Sequence, residues 1–376
     1  MSLLIKKVEN KKDLKAFVDF PRRLYKDNPY WVPPMYGDEI ETFDPKKNPS
    51  FELGEAELYL AYRDNEVVGR VAAVINYKAN ERWNKKEVRF GWFDVIDDQT
   101  VTEALLDKVI EYGKARGMEK IIGPQGFYDF DPEGMLVEGF DQVCTMVCQY
   151  NYDYYQKHVE ALGYTKEVDW LEYKVHVPKE VPESIVKLDR IVRSRYGFRV
   201  KKWNKTDAIR RGLGQKIFHL VNETYHDLYN YVDMTDAMID RFVNFYLAVM
   251  DLRYACIVED QEGNVVGFGF SMPSIVKALQ KSKGKFLPFG WYHLAKSLYF
   301  KHEKSLEMLL IGITPGYENK GVLAVIFNYL IPQYIKGGFE YAESNAELEE
   351  NIKVRAPWTK FNSEQNKRRR IYGKKI

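Results

Sequence analysis

One pattern occurs twice in this chain. Residues 59–73 read YLAYRDNEVVGRVAA, and residues 254–270 read YACIVEDQEGNVVGFGF. Each is an apolar strand, an acidic turn and a second strand opened by Val-Val-Gly, the pattern of a β-hairpin. Ahead of each comes a strand and then a helix: Leu4–Val8 before Asp13–Tyr25, and Phe198–Trp203 before Asp207–Tyr229. Asp13 and Asp207 stand near the helix starts, where a carboxylate caps the first amides or complements the helix dipole. A chain of 376 residues exceeds one ordinary core. The recurrence therefore predicts two copies of one mixed α/β unit, at 1–178 and 198–376, joined by a linker and connecting helix at 179–197.

The first copy continues with a strand at Arg89–Ile96, a helix from Val101 to Arg116 closed by Gly117, and a strand over Lys120–Pro124. An aromatic helix over Asn151–Leu162 and a returning strand over Trp170–Val177 complete it. Between the strand at 120–124 and the aromatic helix lies a long loop, 124–150, rich in Gly, Pro and aromatics. Loops of that length are commonly functional, and this one is a candidate wall of a substrate pocket.

The second copy carries the most specific stretch, 306–339. Its apolar run Met308–Ile313 breaks at Pro315-Gly316, crosses a polar loop and enters an apolar segment from Gly321 to Ile335. A strand, a glycine-bearing turn and a helix N-terminus in that order present free amides to an anion. The stretch resembles motif A of the GNAT acyl-CoA N-acyltransferases, in which a strand ending in V-x-P leads to Q/R-x-x-G-x-G/A. Ile313, Thr314, Pro315 and Gly321 match; Glu318, Asn319 and Leu323 depart. The hairpins resemble the central hairpin of the same fold.

The resemblance implies tandem GNAT folds of mixed-sheet α/β class. It implies acyl-CoA or acetyl-CoA as co-substrate, with no metal. It assigns coenzyme binding to Ile313, Thr314, Pro315, Lys320, Gly321 and Ala324, and places Asn351, at the start of a last helix, near the pantetheine arm. The thioester oxygen is expected to take a backbone N–H near Gly312–Thr314. The first copy has Val95-Ile-Asp-Asp-Gln-Thr at the corresponding place, with two acids and no glycine, and reads as degenerate. The departures in the second copy leave an acyl carrier open as donor.

Acyl transfer to an amine also needs a base. Glu343 and Asn345 alternate with Ala342 and Ser344 and share one face of a strand. Glu343 is one candidate base and His226, in YHDLYNY, is its rival. In this family the thiolate commonly takes its proton from a tyrosine; Tyr341 completes the catalytic candidates.

A second insertion, 275–304, sets lysines around FLPFGWYHLA and LYF. That composition suits peripheral contact with a bilayer, and equally a helical hairpin packed on its own core. The tail KRRRIYGKK, 367–375, reads as a last strand with solvated charges, or as a contact for the coenzyme's 3′-phosphate or a lipid surface. A net charge of +2 gives nucleic acid no footing. Cys144, Cys148 and Cys256 form no disulfide or zinc pattern and read as reduced thiols. The N-terminal MSLLIKK is too short an apolar run for a signal peptide, and no segment reaches the roughly 18–20 apolar residues of a spanning helix. The expected place is the cytoplasm, with peripheral contact at the inner membrane.

The Gly123-Pro124 strand of the first copy, the apolar insertion before motif A, the acid-rich 343–351 run and the terminal Arg-Ile-Tyr at 370–372 together resemble a bacterial group of tandem GNAT proteins that includes proposed ceramide synthases. The resemblance implies an N-acyltransferase acting on a long-chain or lipid amine. The alternatives are a GNAT acetyltransferase of a small amine or amino-acid derivative, and a non-catalytic binding protein of the same fold.

Overall fold

The computed structural model describes residues 3–352 and 356–376. In the first half of the chain the strands are β1 (Leu3–Lys7), β2 (Gly54–Arg63), β3 (Glu66–Asn76), β4 (Glu87–Val95), β5 (Lys120–Gly123), β6 (Met135–Glu138) and β7 (Thr165–His176). The second half adds β8 (Arg199–Val200), β9 (Ala255–Glu259), β10 (Val265–Pro273), β11 (Ser305–Ile313), β12 (Tyr341–Ser344), β13 (Glu347–Leu348) and β14 (Ser363–Lys375). Both hairpins form. Asp64 and Asn65 close β2–β3 with φ of 51° and 67°, the left-handed pair that two-residue hairpin turns require.

The described strands share one mixed sheet, twelve of them in the order β1-β2-β3-β4-β5-β14-β7-β12-β11-β10-β9-β8, with β13 paired to β7 and β6 to β14 off this path. β3 and β10 therefore occupy the third place from opposite ends, and the α/β halves repeat one topology outward from the centre. The centre itself is exchanged. β14, the last strand of the chain, lies beside β5 of the first half, and β7 of the first half lies beside β12 of the second. β7 and β14 then pair with each other from Val175–Ser363 to Thr165–Gly373. Each half of the sequence completes the sheet of the other.

One long helix packs on each half: Gln99–Lys114 through Val101, Leu105 and Val109, and Val322–Lys336 through Val322, Val325, Ile326 and Leu330. A further core runs through both halves, from Phe17, Trp92 and Phe127 to Phe218, Ile239, Phe270 and Leu310. The opening of the second copy differs from its sequence reading. The strand at 198–203 shrinks to β8, and the helix at 207–229 breaks at Gly212, whose φ is 68°. The pieces are Lys205–Arg210, capped by Asn204 in a reciprocal capping box with Asp207, and Leu213–Tyr225. Asp236–Val249 follows as a third helix. Among the described residues no helix is long and apolar enough to cross a membrane.

Candidate functional site

β11 and β12 pair in parallel from Ser305–Tyr341 to Met308–Ser344 and then separate. β10 sets Ser271 against Met308 and Phe270 against Leu310, which leaves Leu309 as the extra residue of a β-bulge. A bulge bends its strand, so β11 leaves β12 at this point and a fork opens. Asn345 Nδ2 donates to the Leu309 carbonyl at 3.0 Å, and the Tyr225 hydroxyl donates to the Ile311 carbonyl at 3.3 Å. Alternation along the strand sends Thr314 N–H the other way, onto Val266 O at 3.0 Å. Of the amides in Gly312–Thr314, the one on Ile313 thus shares the fork side with Leu309 and Ile311.

Past Ile313 the chain turns at Gly316 (φ 87°) and enters Val322–Lys336 through Gly321 (φ 75°), with no side chain capping the helix. Its first amides are thus left for an outside acceptor. A Cβ on Gly321 would come within 2.7 Å of Val192 Cγ1 on the connecting helix Glu183–Tyr196, so packing as well as φ holds a glycine here. Glu318 folds back: its Oε2 accepts Gly316 N–H at 2.8 Å, occupying an amide of the loop. The Lys320 ammonium lies 4.0 Å from the centroid of the Tyr317 ring. Thr314 Oγ1 donates to Val265 O at 2.8 Å, and Ala324 is buried with Ile185 and Ile331 in the seam with the connecting helix.

At the closed end of the fork lies a residue absent from the sequence expectations, Glu307. It is 2% exposed and in register with Glu343. Its Oε2 accepts Met146 N–H at 3.0 Å and its Oε1 accepts the Ser274 hydroxyl at 3.1 Å. Burial pushes its carboxyl up to about 7. The signal in the sequence was the lone acid of the apolar strand SLEMLLIGI. Glu343 Oε2 accepts from Lys367 Nζ at 2.7 Å, and Lys367 also pairs with Glu172 at 3.3 Å. Burial opposes charge on Lys367, but Glu172 and Glu343 outweigh it and raise the ammonium above its ordinary range. Arg369 Nε donates to the same Glu172 at 2.5 Å.

The tail is therefore not a strand of solvated charges. Lys367 and Arg369 are buried on one face of β14, while Arg368 and Arg370 bind Asp169 from the other. Two of the acids that neutralise these residues, Asp169 and Glu172, lie on β7, the strand beside β14; Glu343 of β12 adds to Lys367, and Glu138 and Glu349 add to Arg368.

Two cavities adjoin this end of β11. A polar one, with a volume of about 110 Å³, is lined by Cys144 and Thr145 of the first half and by Ser274, Glu307, Tyr341 and Glu343 of the second. A small apolar one, with a volume of about 40 Å³, lies between the helices Leu213–Tyr225 and Asp236–Val249 and the sheet, with Ile217, Phe218, Phe270, Leu309 and Leu310 among its walls. The 124–150 loop thus helps wall the polar cavity. Residues 286–300 line neither cavity; Leu298 is buried in the core that runs through both halves, most of the large apolar side chains are exposed, and the stem is tied to the first half. Gln280 Nε2 donates to Pro29 O and Trp31 O at 2.8 and 3.0 Å, and Gly284 O accepts Tyr36 N–H at 2.8 Å.

In the first half the equivalent places hold the protein's own groups. Asp98 caps the helix Gln99–Lys114 and pairs with Arg63 at 2.6 Å; that pairing holds its carboxyl down at about 2. Val95 N–H donates to Tyr155 Oη at 2.9 Å, and Val95 O accepts from Tyr154 Oη at 2.7 Å.

The remaining candidates are dispersed. Tyr341 lines the polar cavity, with Lys174 Nζ 4.6 Å from its ring centroid. His226 is exposed at the end of Leu213–Tyr225, with Nδ1 3.0 Å from Arg82 and 3.4 Å from Asp233. Asn351 N–H donates to Leu348 O at 2.9 Å; the helix expected after it runs into residues 353–355, outside the described residues.

No family model matches the chain. It is 27% identical to protein YghO of Escherichia coli, across 99% of this chain and 95% of that protein. It is also 27% identical to the bacterial ceramide synthase of Caulobacter vibrioides, across 83% of this chain and 80% of that protein. A solved tandem GNAT protein from the clavulanic acid biosynthesis pathway superposes with a TM-score of 0.57 at 12% identity, across 100% of this chain and 98% of that one. A GCN5-related N-acetyltransferase from Sphaerobacter thermophilus gives 0.51 at 10% identity, across 99% and 95%. These likenesses show a tandem GNAT fold.

Proposed function

We propose that this tandem protein of the GNAT N-acyltransferase fold transfers a long acyl chain from a thioester to the amine of a long-chain, lipid-like acceptor. The observation that carries the reading is the apolar cavity against Leu309 and Leu310, next along β11 to the buried acid Glu307. Its walls are apolar throughout, and an alkyl chain gains free energy from each methylene it removes from water against them, which a small polar amine does not. The name of the Caulobacter relative, a ceramide synthase, supports a long-chain amino alcohol as acceptor.

In this reading the thioester lies in the fork, with its diphosphate or carrier phosphate at the uncapped amides of Gly321–Leu323. Glu307 receives a proton from the acceptor ammonium, directly or through one water. The freed amine attacks the thioester carbon, whose oxygen gathers charge beside amides on the fork side of β11. The tetrahedral adduct gives up its nitrogen proton to solvent and expels the thiolate, which takes a proton from Tyr341 or solvent, and the neutral amide leaves. Two carboxylates face one cavity in different surroundings: Glu343 is paired with Lys367, and Glu307, without a cationic partner of its own among the described residues, is the one that burial raises. Glu318 on the loop amide favours a carrier-bound thioester over coenzyme A, because a coenzyme diphosphate must first displace it.

Labelled palmitoyl-CoA and palmitoyl-carrier should be offered separately with sphinganine-type amines and with small polar amines. Amide formation with the long-chain amines is expected. Transfer confined to small polar amines, or no transfer from either donor, overturns the proposal.

A further inference from the structure

Fourteen large apolar side chains are exposed among the described residues, and seven of them lie within residues 286–300. Leu287 is 70% exposed, Phe289 69% and Phe300 84%, with Phe286, Trp291 and Tyr299 about half exposed beside them. A soluble surface rarely concentrates apolar side chains in this way without something to cover them. The surrounding charge is of one sign. From Val276 to His302 there are six lysines (277, 281, 283, 285, 296 and 301) and no Asp or Glu. The nearest acid, Glu303, pairs with Lys277 at the stem, 3.5 Å away, and leaves the five lysines nearer the tip uncompensated by it.

We propose that residues 286–300 dock the protein on an anionic phospholipid bilayer, with Phe and Leu entering the acyl boundary, Trp291, Tyr292 and Tyr299 at headgroup depth, and the lysines on lipid phosphates. Charge complementarity selects this occupant. A second copy of the chain would bring the same lysines against themselves, and an uncharged bilayer would leave them without partners. The stem holds the tip in place, through Gln280 on Pro29 and Trp31 and Gly284 on Tyr36. The helix at the base, Val276–Ser282, also lines the polar cavity through Val276, Lys277 and Gln280. If the proposed lipid acceptor is correct, docking sets the mouth of its site at the bilayer; the docking itself does not depend on that reading.

The test uses the full chain without substrate, floated with vesicles of phosphatidylcholine alone or of phosphatidylcholine with about one third phosphatidylglycerol. Association with the anionic vesicles, weakened by high salt, is expected. The triple variant F289S/W291S/F300S, altered only at exposed side chains, should lose about tenfold or more of it while keeping the thermal midpoint of the parent. K281Q/K283Q/K285Q should weaken binding to anionic vesicles alone. Equal binding of parent and triple variant, or no binding to anionic vesicles, overturns the proposal. So does concentration-dependent self-association that the triple variant abolishes, which would assign the patch to a second copy.

Discussion

Glu307→Gln tests the site most directly, because it alters one proton and little else. Glutamine keeps the shape, an oxygen for Met146 N–H, and an amide that can donate to a rotated Ser274 hydroxyl. The parent carboxyl titrates near 7 in the fold against an ordinary 4.5, a gap worth about 3 kcal/mol at 1.36 kcal/mol per tenfold. A folded value above the unfolded one means that the fold favours the protonated acid. Its contribution is fully present below about pH 4.5 and is lost as pH rises through about 7. The variant carries no such loss. Relative to the parent it should gain up to about 3 kcal/mol between pH 5 and pH 8.5, read from denaturant midpoints at each pH. Activity should move the opposite way: kcat/KM should fall by about 10²–10⁴ and lose its rise through pH 7. Parallel stability curves for parent and variant, or an unchanged pH–rate profile, would refute the reasoning about this acid.

Gly321→Val places a branched side chain at φ 75° and 2.7 Å from Val192, so thermal stability and donor binding should both fall, by about 2–4 kcal/mol in stability; unchanged calorimetric binding of acyl-CoA counts against the loop as its site. Glu318→Gln keeps an acceptor for Gly316 N–H but removes the charge, and should tighten acyl-CoA by about twofold to fivefold in the same assay. Glu172→Ala leaves Lys367 and Arg369 without their shared buried carboxylate, and should cost about 3–5 kcal/mol in urea unfolding. A chain of residues 179–376 alone lacks β7, leaving β12 and β14 without that neighbour, and should show no cooperative unfolding until residues 1–178 are supplied.

Local pattern made much of the fold legible. The Val-Val-Gly hairpins and the strand–turn–helix around Pro315 and Gly321 are written in neighbouring residues, and they stand where that pattern puts them. Glu307 was harder to see, since one acid in an apolar strand is visible but its burial is not. The approach of Ser274 and of Met146, 161 residues away, gives that acid its environment. Similarly, RRR in the tail looks solvated until β7 supplies Asp169 and Glu172, about 200 residues earlier. Glu318 is legible as a departure from the motif, but its bond to Gly316 depends on the turn at Gly316 that brings the two together.

The strand exchange joins these hidden parts. β7 delivers Glu172 and β14 delivers Lys367 to the polar chain that ends on Glu343 of β12. The same exchange brings the first half close enough for its 124–150 loop to set Cys144, Thr145 and Met146 against Glu307. The first half, whose own fork is filled by Tyr154 and Tyr155, thereby supplies the second half with a wall, a counter-charge and the amide that binds its titrating acid. Two such halves cannot be partitioned into one that reacts and one that is spare: removing β7 removes the neighbour of both β12 and β14, and the environment of Glu307 with them.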